Sequence, residues 1–159
     1  MYSLGISTNR GTINASAYHV IHTRKLIFNV RFKNGYENIF YADVENGQWI
    51  EEDLGYTLLA AKVGEQIIQR LNYPVHVPKI LTWQQIEPGI SDKKFGYYQF
   101  RQGRDTLLEI YDQNKKYLYT LAEADADEWQ ILLGNFNALQ TVNLEFLGRI
   151  TASLSLNDF

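Results

Sequence analysis

The chain has 159 residues, 45% hydrophobic and 14% aromatic, with 15 Lys+Arg against 18 Asp+Glu and a formal net charge of −3. It has no cysteine, which excludes a disulfide scaffold, a thiol nucleophile and Cys-ligated zinc or iron–sulfur clusters. No apolar run approaches the roughly 20 residues of a membrane span, and Met1-Tyr2-Ser3-Leu4-Gly5 lacks the basic and apolar regions of a signal peptide, so the expectation is a soluble cytoplasmic protein with no membrane partner.

The first element is a strand around residues 12–22, where Ile13, Ala15, Ala17 and Ile21 alternate with polar positions. His19 and His22 lie within it. On a strand, residues three apart point to opposite faces, so the pair does not ligate one metal ion, and no metal or cofactor is expected. Asn34-Gly35 is the strongest turn signal, because a type I′ hairpin turn needs positive φ at both central positions. Placing those two at the loop pairs Phe32 with Glu37, Val30 with Ile39 and Phe28 with Tyr41. Phe28, Val30, Phe32, Ile39 and Tyr41 then share one face, and Asn29, Arg31, Lys33, Tyr36, Asn38 and Phe40 the other. A second turn at Asn46-Gly47 returns Gln48-Trp49-Ile50 as a further strand. Next, Leu59, Val63, Ile67 and Leu71, with Ala60 and Ile68 beside them, form the apolar stripe of a helix capped by Asp53 or Thr57. It ends near Asn72, because Pro74 disfavours helical geometry just before it.

All three prolines lie at 74–88. The expected organisation is a single domain over 1–159, with pseudo-repeat halves at 1–72 and 79–140 and a proline-containing linker at 73–88. A shift of 68 residues places Phe32-Lys33-Asn34-Gly35 on Phe100-Arg101-Gln102-Gly103, and Trp49 on Tyr117. Residues 79–84 supply the strand before this second hairpin. A second helix follows, with Trp129, Leu132, Leu133, Phe136 and Leu139 as its stripe and Asp125 with Glu128 as a capping box. The fold class is therefore α+β: a curved antiparallel β-sheet with two amphipathic helices, in two pseudo-repeated ββββα units. In topology this resembles the PUR and Whirly single-strand-binding folds, although Asp112-Gln113-Asn114-Lys115-Lys116-Tyr117 does not reproduce the PUR strand pattern. The second hairpin has apolar residues on both sides: Tyr98, Phe100 and Leu107 share a face with Glu109, while Phe95, Tyr97, Leu108 and Ile110 share the other. One helix covers only one face, so another segment or a second subunit must cover the rest.

Charge is uneven along the chain. Residues 73–121 carry seven basic and five acidic side chains, and 122–159 carry one basic and six acidic. Within 93–119, cations interleave with aromatic rings, the pattern by which a sheet stacks bases and meets phosphates. The candidate ligand-binding residues are Tyr97, Arg101, Arg104, Lys115, Lys116 and Tyr117. No G-x-x-x-x-G-K-[ST], G-x-G-x-x-G or G-x-S-x-G motif is present. Acidic residues cluster at Asp43–Asp53 and Glu123–Glu128, each just before a predicted helix, where the helix dipole favours negative charge. The sequence thus points to a non-catalytic binding or assembly module, a homodimer through the doubly apolar hairpin. Single-stranded nucleic-acid binding through 93–119 is the alternative, and a hydrolase using Glu51 and Asp53 is a third reading.

Overall fold

The computed structural model describes residues 1–20, 25–72, 76–86, 89–90, 92–125, 128–134 and 152. The chain divides into two compact units, Met1–Lys79 and Ile80–Phe159. The described elements are mostly antiparallel sheet with one helix, an α+β arrangement.

The first unit is a five-stranded meander, β1 (Tyr2–Thr8), β2 (Gly11–His19), β3 (Ile27–Phe32), β4 (Glu37–Ala42) and β5 (Trp49–Glu51), followed by α1 (Leu58–Leu71). Strands pair in sequence order because each connection is short enough to turn back on its neighbour. Leu4, Ile6, Ala15, Ala17, Phe28, Val30, Phe32, Phe40 and Trp49 form one buried cluster with Ala60, Val63 and Ile67 of the helix. Thr57 caps α1, its hydroxyl oxygen accepting from the Ala60 N–H at 2.9 Å. The helix stops at Asn72, in left-handed conformation, whose N–H bonds the Ile68 carbonyl. Ile68 itself is 39% exposed, and Gly64 takes the buried place beside Val63. A Cβ on Gly64 would lie 2.1 Å from the Trp49 ring, so only glycine lets helix and β5 approach this closely.

The first hairpin forms where expected, but its register is shifted by one residue. Phe28 pairs with Phe40, Val30 with Asn38 and Arg31 with Glu37. The loop has three residues, Lys33, Asn34 and Gly35: the Phe32 N–H bonds Tyr36 O at 2.8 Å, and the Gly35 N–H bonds Phe32 O at 3.0 Å. Gly35 alone takes positive φ (91°), as a type I turn closed by a glycine bulge requires. A one-residue slip exchanges the faces of the partner strand. Phe40 therefore enters the core with Phe28, Val30 and Phe32, while Ile39 and Tyr41 lie on the opposite side.

The second unit contains β6 (Thr82–Gln85), β7 (Lys94–Gln102), β8 (Asp105–Tyr111), β9 (Tyr117–Asp125) and β10 (Glu128–Gly134), again an antiparallel meander. The second amphipathic helix is not formed over 128–134. Trp129 pairs with Glu123 and Ile131 with Leu121 on a strand, and both pack against the cluster of Ile86, Phe95, Leu108, Ile110, Tyr119 and Leu121. Leu132 is 53% exposed, so the apolar period here is two rather than 3.6. Asp125 and Glu128 are paired residues of β9 and β10, so they do not open a helix as a capping box would. Phe136 and Leu139 lie outside the described residues, as do residues 135–151.

The offset of 68 carries β3, β4 and β5 onto β7, β8 and β9, but carries α1 onto β10. It also fails to carry pairings: Arg31 opposes Glu37, whereas Gln99 opposes Leu108 rather than Asp105. Over the described residues the offset therefore relates strands to strands without carrying their register or the helix, and the pseudo-repeat is not confirmed.

Candidate functional site

The six residues singled out at 93–119 do not come together. Arg101 and Arg104 flank the β7–β8 turn, while Lys115 and Lys116 belong to the β8–β9 turn at the other end of β8. Seven residues at about 3.3 Å each separate the two cation pairs by about 23 Å. The lysines sit in a turn built by Asp112, whose Oδ1 accepts from the Asn114 and Lys116 N–H groups at 2.8 and 3.0 Å. Tyr117 is buried, with its hydroxyl 2.7 Å from Thr120 Oγ1, and burial pushes that phenol up to about 12. Tyr97 is half-buried against its own unit's core. Tyr117 is thus enclosed, while Tyr97 keeps part of its surface exposed.

Both faces of the second hairpin are covered within the chain. Phe95 and Ile110 are fully buried on one side, and Leu107, Glu109 and Tyr111 are buried on the other. Tyr111 donates to Glu109 Oε2 at 2.6 Å, and burial, with the Glu109 charge next, pushes its phenol far above the usual tyrosine range. The centre of this hairpin is thus buried on both sides, while Tyr98 and Phe100 on β7 stay half-buried.

The acidic pair is also divided. Glu51 is buried and accepts from Tyr36 Oη, Asn38 Nδ2 and Thr57 Oγ1, the last at 2.7 Å. It ties the first hairpin and β5 to the helix cap, and its hydrogen bond, with burial next, holds the Tyr36 phenol above its ordinary value. Asp53 is exposed on a turn with φ 68°. Asp43, fully buried, is occupied by Tyr56 Oη and the Glu45 N–H, which locks the loop into β5. These carboxylates are anchors of structure. His19 stacks on Phe28 at 4.8 Å with its Nε2 against Lys25 O, and His22 lies outside the described residues. Among the described residues no group of three His, Asp or Glu side chains could hold a metal, and no helix is long and apolar enough to cross a membrane.

A groove of about 450 Å³ lies instead on the first sheet, lined by Ser3, Leu4, Asn14, Ala15, Ser16, Arg31, Phe32 and Lys33. Its construction follows from register. Ser3, Ser16 and Arg31 are successive cross-strand neighbours on the outward face of β1, β2 and β3, and the Lys33 N–H bonds Asn14 O at 3.0 Å, bringing Lys33 beside the same row. Small polar residues on β1 and β2 form the floor, and the two long cations of the third strand and its turn form a wall. Arg31 is oriented from two sides: its Nε donates to Glu37 Oε1 at 3.0 Å, and its guanidinium lies 5.4 Å from the Tyr18 ring centroid. Asn29 Nδ2 donates to the same Glu37 oxygen at 2.8 Å, and these two hydrogen bonds hold the Glu37 carboxyl below its ordinary value. The Arg31 terminal NH2 groups and the Lys33 ammonium have no partner among the described residues. The groove therefore presents two cationic heads above two serine hydroxyls and an amide, an arrangement that hydrogen-bonds and neutralises an oxyanion.

Sequence reasoning placed Arg31 and Lys33 on the polar side of the hairpin but did not single them out. The signal was available: Ser3, Gly5 and Ser7 alternate with Tyr2, Leu4 and Ile6, which marks β1 and its polar outward face. Set against family models, curated proteins and solved structures, the chain matches none of them.

Proposed function

We propose that the protein is a non-catalytic binding module that holds an anionic group on the outward face of its first sheet. The observation that supports this is the groove itself, in which Arg31 and Lys33 keep donors that no described residue bonds, beside the Ser3 and Ser16 hydroxyls and the Asn14 amide. Its lining holds hydrogen-bond donors and cations but no carboxylate or imidazole to move a proton, which favours retention of a ligand over its conversion. The sheet suits that task because its other face is committed to the core, which fixes the backbone beneath the outward row of Ser3, Ser16 and Arg31.

The test is a titration of the ¹⁵N-labelled chain with inorganic phosphate at low ionic strength. Amide shifts should concentrate at Ser3, Asn14, Ser16, Arg31 and Lys33, and they should weaken steeply with added chloride. The double variant Arg31→Ala, Lys33→Ala should reduce the apparent affinity at least tenfold while leaving the core resonances in place. Shifts scattered over all basic residues, or unchanged in the double variant, would remove the reading.

A further inference from the structure

β1 opens the order of its sheet, and among the described residues only its β2 side is paired. Its backbone phase can be read from the loop that follows. Thr8 opposes Gly11 across the two residues Asn9 and Arg10, so this pair closes the hairpin with its hydrogen bonds. Antiparallel residues alternate between bonded and non-bonded pairs, which turns the N–H and C=O groups of Ser3, Gly5 and Ser7 away from β2. Lys62 on α1 gives independent support: its Nζ reaches Ser7 O at 2.6 Å, a position open only to a carbonyl on the free side of the strand. No described residue bonds the corresponding groups of Ser3 and Gly5.

Natural sheets protect such edges with charge, proline, bulges or brevity. Tyr2–Thr8 has seven residues, no charged side chain and no proline, and its seven pairs with β2 run without a register shift. Lys62 guards only the Ser7 end. We propose that two copies of this chain pair antiparallel along β1 about a two-fold axis at Gly5. The register is self-complementary: Ser3 opposes the partner's Ser7, Leu4 opposes the partner's Ile6, and Gly5 opposes the partner's Gly5. In that register the outward N–H and C=O groups of Gly5 meet their complements on the other edge, the Ser7 N–H meets the partner's Ser3 carbonyl, and the Ser3 N–H shares the partner's Ser7 carbonyl with Lys62. The bonded pairs carry only Ser and Gly on the outward face, and Leu4 and Ile6, each already buried in its own core, flank the seam on the inward face. No like charges meet, which favours a second copy over a partner selected by charge. This surface is the strand edge and is separate from the doubly apolar hairpin of the second unit.

Light scattering on the full chain from about 1 to about 100 µM tests the proposal. The mass should rise towards twice 18.4 kDa, and the Ser3, Gly5 and Ser7 amides should exchange more slowly with deuterium at the upper concentration. Gly5→Lys sets two ammonium groups across the axis. A Cβ at that position meets only Thr12 Cγ2, at an ordinary 3.4 Å, so the fold should survive by far-UV circular dichroism while the mass falls to 18.4 kDa. Gly5→Ser should stay dimeric. A monomer at every concentration overturns the proposal, as does a dimer that persists in Gly5→Lys. Concentration-independent exchange at Ser3 and Gly5 overturns it without relying on any variant.

Discussion

The two sheets share strand number and order of connection, yet they bury themselves differently. In the first, β3 alternates Phe28, Val30 and Phe32 into the core with Asn29 and Arg31 outward, and a helix covers the apolar side. In the second, all of Leu107 to Tyr111 on β8 is buried, including Glu109, which requires Tyr111 as a donor. A strand buried on both faces has no surface left for a ligand, whereas a strand with one wet face can carry donors that no packing demand constrains. The groove lined by Arg31 and Lys33 lies on the sheet whose third strand keeps a polar side, away from the stretch in which cations and aromatics interleave.

The strongest way to break this comparison is to truncate equivalent alternate positions. Leu107→Ala should cost about 2–5 kcal/mol in urea unfolding, as much as its neighbour Leu108→Ala, because both faces of β8 are packed. On β3, Phe32→Ala should cost a similar amount and Arg31→Ala only about 0.5 kcal/mol. A neutral Leu107→Ala would return one face of the second sheet to solvent and restore its claim as an interface.

A second test uses pH. The Tyr117 phenol is raised to about 12, and Tyr111 and Tyr119 are raised further, chiefly by burial. Between the ordinary tyrosine value near 10 and the raised native value, the unfolded chain has released protons that the native state still holds. Stability contributed by these groups is thus complete below pH 10 and falls as pH rises through the folded values. Amide resonances of β8 and β9 should collapse at lower alkaline pH than those of β2 and β3; the reverse order would contradict the assignment of burial.

The smallest expected effect sharpens the groove. Glu37→Gln removes the carboxylate that competes for Arg31 while keeping a side chain of the same shape. Affinity for inorganic phosphate should rise a few-fold above pH 5, and the difference between variant and parent should vanish as acid protonates Glu37 in the parent. Equal affinities at neutral pH would mean that Arg31 does not face the anion.

Much of the first unit was legible in the amino-acid sequence. The stripe of Leu59, Val63 and Ile67 between Thr57 and Asn72 specified α1, since period, cap and stop agree locally. The alternation from Phe28 to Tyr41 specified a hairpin, and Asn46-Gly47 marked the turn towards β5. The two apolar sides of the second hairpin were also visible, and the covering they require is present. What local signals left open, tertiary contacts decided. Asn34-Gly35 is compatible with loops of two or three residues, and burial of Phe40 beside Phe32 selects the longer one. Trp129 to Leu133 fits either period, and pairing with β9 makes it a strand. Arg31, Ser16 and Ser3 are distant in sequence and become one row only when β1, β2 and β3 take their register. Periodicity determines which residues a segment will bury; which segments meet, and in what phase, depends on non-local packing that no window of sequence contains.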